Sequence, residues 1–200
     1  NRILMNSKLI SFVIAALSYY LLGLGGLTLA IPPGFASAVW PAAGAALFFV
    51  IYRDRPASLA GIWTGSFALN LGITTDFYER LSWAATFPVV IIAFGAMLQA
   101  LLGYLLYRRF IGDAALPDTQ NKVMRFLAIV APIGCILAPT VGVNTLHELG
   151  IISSQNFWFS WLTWWVGDAL GVLLFTPLLL AIASSPEEVS ADRKVQVCLP

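Results

Sequence analysis

Apolar residues in this chain run in long blocks and not at the spacing of a soluble amphipathic helix. Six blocks stand out, at about residues 9–31, 36–52, 57–74, 84–107, 123–146 and 158–183. A helix that crosses a bilayer needs about 20 largely apolar residues. The second and third blocks are short and would span by tilting or local thinning. Strands of a membrane barrel would alternate apolar and polar residues, and none of these blocks does. A helix satisfies every backbone amide within its own segment, which the bilayer core demands. The predicted fold class is therefore all-α, a polytopic transmembrane bundle of about six spanning helices.

The breaks between blocks carry the charge. Arg2, Lys8, Arg53, Arg55, Arg108, Arg109, Lys122, Arg125, Arg193 and Lys194 fall on one side of such a bundle, and only Arg80 falls on the other. Cytoplasmic loops are rich in Lys and Arg, so both termini are expected in the cytoplasm. The outer loops, 32–35, 75–83 and 147–157, are too short to hold a folded domain. The first block has too long an apolar core for a cleavable signal peptide. Residues 186–194 read as a solvated linker, and 195–200 turn apolar again. The expected organisation is one transmembrane domain over residues 1–185. The linker and the start of a further span follow at 186–200, within a longer protein.

Composition agrees with this picture. Hydrophobic residues make up 59% of the 200 positions and charged ones 10%, against about 25% charged in soluble chains. A net charge of +1 offers no basic surface for nucleic acid. Two cysteines and one histidine argue against a disulfide framework or a multi-ligand metal site, and no cofactor is expected. Cys135 lies in the fifth block and Cys198 in the tail, so they are not expected to pair. No P-loop, dinucleotide fingerprint or G-x-S-x-G is present. His147 and Glu148 do not begin an H-E-x-x-H motif, because Ile151 stands at the second histidine position. They read as a polar helix end, with a pH-sensing or ligand role as the alternative.

Within the blocks, small residues recur four apart at Gly26 and Ala30, Gly61 and Gly65, Ala138 and Gly142, and Gly167 and Gly171. Such pairs let helix backbones approach closely. Pro41, Pro88, Pro132, Pro139 and Pro177 each remove a backbone donor. Pro132 and Pro139 share the fifth block, which should be bent or locally unwound. Trp83, Trp158 and Tyr78 sit where an interfacial aromatic belt is expected.

Asp168 is the one carboxylate well inside a block. A charge at that depth costs about 2.5–3.5 kcal/mol on an insertion scale. Trp161, Trp165 and Asp168 share a helix face at i, i+4 and i+7, with Trp164 on the adjacent edge. Trp40, Asn70 and Asn144 fall near the outer ends of their own blocks, and Gln99 lies deeper. If these helices converge, they form a pocket open to the outer side. The candidate ligand-binding residues are Trp40, Asn70, Asn144, Trp161, Trp164, Trp165 and Asp168. Either an indole or an amide side chain would pair with the acid. The alternative is a set of interhelical hydrogen bonds without a ligand.

The stretch WWVGDALGVLLFTPLLL (164–180), with WPAAG (40–44), GIWTGSFALNL (61–71) and MLQALLGYLLYRR (97–109), resembles the membrane-associated sensor domains of the MASE family, type one. The resemblance covers about residues 40–180. It implies a multi-pass sensory input domain of the bacterial inner membrane, joined to a histidine kinase or a cyclic-di-GMP enzyme, with no catalysis of its own. Expected partners are the lipid bilayer, a small-molecule ligand, a C-terminal output domain of the same chain and a second copy of the chain. Two other readings fit six helices in 200 residues. One is a small substrate-binding transport subunit. The other is an anchor that sets dimer geometry for a linked enzyme.

Overall fold

The computed structural model describes residues 2–30, 37–73, 82–113 and 116–184. These form six helices and no β-strand beyond one isolated bridge between Ala30 and Ser37. They are α1 (Arg2–Leu27), α2 (Pro41–Tyr52), α3 (Arg55–Ile73), α4 (Trp83–Phe110), α5 (Gln120–Glu148) and α6 (Phe157–Ala183). Each helix occupies one apolar block, with ends displaced by a few residues. Tyr78, Arg80, Cys198 and the 186–200 tail lie outside the described residues.

Four helices, α1, α4, α5 and α6, are long and apolar enough to cross a membrane. Length and apolarity therefore support four spans, fewer than the six expected. Helix α2 has 12 residues, about 18 Å at helical rise. Helix α3 has 19 residues, but Arg55 and a scatter of Ser, Thr, Gly and Asn dilute its hydropathy. The two short helices differ in setting. Helix α2 is buried from Pro41 through Val50, as a helix apolar all round should be. It packs against α1, α3, α4 and α6 and forms the centre of the bundle. The outer surface carries Leu9, Leu17 and Leu21 of α1, Leu98 and Leu105 of α4, and Leu162, Leu174 and Leu178 of α6, all exposed. So much exposed aliphatic surface fits a lipid solvent.

Pro41 does not kink a helix. It opens α2, where its missing N–H would have had no helical partner. The backbone ahead of it is not helical. The Ala38 N–H donates to Leu29 O at 3.3 Å, and the Trp40 N–H donates to Gly167 O on α6 at 2.8 Å. Glycines make that approach. A Cβ on Gly167 would overlap Ser37 O, one on Gly171 would overlap Trp40 O, and one on Gly44 would overlap Gly171 O. WPAAG and the GDxxG element are thus two sides of one contact. Gly61 and Gly65 of α3 meet the backbone oxygens of Phe12 and Ala16 on α1 in the same way. The Gly26–Ala30 pair is not a helix contact, because α1 ends at Leu27.

Helix α5 is interrupted, as its two prolines predict. A π-helical turn runs over Phe126–Val130, and a short helical turn over Ala131–Gly134. The chain then breaks at Cys135 and Ile136 before the helix resumes over Leu137–Glu148. Pro132 supplies no N–H, and the wider turn before it absorbs the clash. Pro88 and Pro177 lie inside α4 and α6 without ending them. At the end of the bundle that holds Arg53 and Arg108, the Arg55 guanidinium donates to the Tyr104 hydroxyl and lies 4.0 Å from the Tyr104 ring centre. Arg108 pairs with Asp113, and Lys122 with Asp118 at 2.7 Å. The Lys122 hydrogen bond holds the Asp118 carboxyl below its usual range. At the opposite end, Trp83 and Trp158 are exposed, as an aromatic belt requires.

Candidate ligand cavity

Asp168 stands eleven residues into the 27-residue α6 and is the only buried carboxylate among the described residues, 1% exposed. Its partner is Gln99 of α4, whose Nε2 donates to Asp168 Oδ2 at 2.8 Å. The Gln99 Oε1 accepts the Ala138 N–H at 3.1 Å. That N–H begins the resumed segment of α5 and lacks a helical acceptor because of the break. One amide therefore caps a broken helix and holds an acid on another helix. Asp168 Oδ1 is buried and has no hydrogen-bond partner.

Next to this link lies a cavity of about 570 Å³. It sits in the half of the bundle that holds Trp83 and Trp158, where α1 and α3 end and α4 begins. Its wall is mostly aliphatic. Asp168, Trp40, Trp164, Asn70, Ser66 and Tyr19 bring the polar and aromatic groups. The expected convergence is thus present for Trp40, Asn70, Trp164 and Asp168. Trp40 stands at the non-helical entry to α2, and its ring occupies the space that a Cβ on Gly26 would need. The Trp164 ring fills the corresponding space beside Gly142. Asn70 donates Nδ2 to Ser66 O at 2.8 Å, one turn back on α3.

The other three expected residues do not line the cavity. Trp161 donates Nε1 to Thr140 Oγ1 at 3.0 Å, and Trp165 donates Nε1 to Pro132 O at 2.8 Å. The two rings stack at 6.1 Å and fasten α6 to α5. The Pro132 carbonyl is available because Ile136 N bonds to Ile133 O at the break. Asn144 is exposed and bonds to Thr140 O at 2.6 Å within its own helix. The acid pairs with an amide and not with an indole, since both indoles on its face are drawn to the broken helix.

Sequence reasoning offered Gln99 among the possible partners of the acid but not among the pocket residues, and it passed over Tyr19 and Ser66. Ser66 and Asn70 do stand four apart, so they share a face. Tyr19 carries no such signal, because a tyrosine in an apolar helix reads as packing. His147 is half-buried, with Nδ1 2.8 Å from Ile152 O and its ring edge against Phe157. It closes the turn between α5 and α6. Among the described residues, no three of His, Cys, Asp and Glu come together.

No curated protein and no solved structure matches the chain. The MASE1 family profile matches residues 12–196. Domains of this family are sensory input modules linked to histidine kinase or cyclic-di-GMP enzyme output domains. The long apolar helices and this match together make the protein a multi-pass resident of the bacterial inner membrane. With the profile spanning nearly the whole chain, the chain belongs to the MASE1 family of membrane sensor domains.

Proposed function

We propose that the cavity beside Asp168 is where this sensor domain receives its signal, as a small molecule entering from the outer side of the membrane. The observation that carries this is the meeting of Trp40, Asn70, Trp164 and Asp168 on one cavity wall. Mostly apolar cavities of about 300–1,000 Å³ with a few polar groups are the usual form of small-molecule sites. Occupancy would act on two packed joints at once. One is the α2–α6 contact through Trp40, and the other is the Gln99 link between α4, α5 and α6. A ligand shifts the bundle only to the extent that it favours one arrangement over another. The signal would leave through α6 toward an output domain further along the same chain.

The basic residues support six crossings with both termini in the cytoplasm, α2 and α3 included. A membrane-impermeant thiol reagent should then label Ser153→Cys from outside intact spheroplasts and leave Gln120→Cys unlabelled.

Filling the cavity tests the functional reading. Ala96 lines it, and Leu98 faces outward. Output activity of the full-length protein in membrane vesicles should change about fivefold or more in Ala96→Phe, the size of a 1 kcal/mol bias. Leu98→Phe should leave it unchanged. Equal activity in both variants refutes the cavity as the input site.

A further inference from the structure

The charge pattern of the cavity wall narrows its ligand. Asp168 offers two carboxylate oxygens, and the protein uses one of them. Oδ2 accepts from Gln99 Nε2 at 2.8 Å. The Gln99 amide cannot turn to serve Oδ1, because its Oε1 already holds the Ala138 N–H at 3.1 Å. Oδ1 is left buried and unpartnered, although buried carboxylates otherwise have hydrogen-bond or ionic partners. Among the described residues, none that lines the cavity is Lys, Arg or His. The described wall therefore carries one carboxyl group and no cation to balance it.

The rest of the wall agrees in sign. Tyr19, Ser37, Ser66 and Asn70 are neutral polar groups. Trp40 and Trp164 present indole rings, whose faces attract cations. An anionic head would be set against the Asp168 carboxyl group, with no cation among the described lining residues to offset it. The remaining surface is aliphatic and asks for an apolar body.

We infer that the cavity selects a small amphipathic amine, with its ammonium group donating to Asp168 and its apolar body against the tryptophan and aliphatic wall. This rests on the cavity being the ligand site, so the experiment separates the two claims. The probes are 2-phenylethylamine, 2-phenylethanol and 3-phenylpropionate, which keep one apolar body and vary the head. Binding to the purified full-length protein in nanodiscs is read by intrinsic tryptophan fluorescence. The amine should bind about tenfold or more tightly than the alcohol, a difference of about 1.4 kcal/mol. The acid should be weakest. Asp168→Asn should bring the amine down to the level of the alcohol.

The head-group comparison on the unmodified protein needs no variant to fold. Equal binding of amine and alcohol, preference for the acid, or no binding by any probe overturns the amine. If the alcohol or the acid binds best and Ala96→Phe abolishes that binding, the amine is refuted while the cavity stands as a ligand site.

Discussion

Replacing Gly171 by alanine should loosen the bundle at its centre. An added Cβ would overlap Trp40 O and come within 2.6 Å of the Trp40 carbonyl carbon. Ordinary contact begins at 3.4 Å, so α2 and α6 would have to part by about 0.8 Å to clear the carbon and by more to clear the nearer oxygen. Both atoms met are backbone, so no side chain can swing aside. Overpacking of this kind costs about 1–3 kcal/mol. The same movement stretches the Trp40 N–H bond to Gly167 O, now 2.8 Å, worth about 1 kcal/mol. Alanine returns up to about 1 kcal/mol in helix propensity. The net expectation is a loss of about 1–3 kcal/mol. Gly25→Ala is the control, because its Cβ would meet nothing within 4 Å. It should be neutral or slightly stabilising. Unfolding of the purified protein from detergent micelles by SDS, followed by tryptophan fluorescence, measures both variants. If Gly171→Ala lies within about 0.5 kcal/mol of Gly25→Ala, the backbone contact does not hold α2 to α6.

Two other perturbations probe the polar groups. Gln99→Leu leaves Asp168 Oδ2 and the Ala138 N–H without their partner, and should cost about 3 kcal/mol in the same assay, whereas Gln99→Leu with Asp168→Leu should recover part of that loss. A double variant no more stable than the single one would show that the amide does not serve the acid. Asp118, with its lowered folded pKa, contributes its ion pair above the usual carboxylate range and loses it as pH falls through the folded value. Asp118→Asn should remove that acid-side slope from the thermal midpoint and leave stability at pH 7 within about 0.5 kcal/mol.

The helices were legible because bilayer solvation writes them as uninterrupted apolar blocks, and a block's ends are set by the first charges and turns. What the blocks do not state is which helix touches lipid. Helix α2 reads like the others, yet it is the helix at the centre, and only packing reveals that its lack of a polar face is burial on all sides. The break in α5 was legible because two prolines act locally on backbone donors. Its consequence was not. Pro132 O and the Ala138 N–H, freed at the break, attract Trp165 and Gln99 from other helices, and no local pattern specifies where a freed backbone group finds its partner. That is why Trp161 and Trp165 left the expected pocket and why Gln99 is the partner of Asp168. Trp40, Asn70, Trp164 and Asp168 were recoverable from helix phase and depth alone.

The brevity of α2 has one more consequence. Its twelve residues reach about 18 Å, while a bilayer core is about 30 Å thick. Protein surrounds it, so it has no lipid boundary to match. The depth it leaves unfilled is the depth at which the cavity lies, with Trp40 at the end of α2 as its floor. The cavity is thus the missing top of a helix. A membrane that grows thicker or thinner would therefore act on the long outer helices and not on α2.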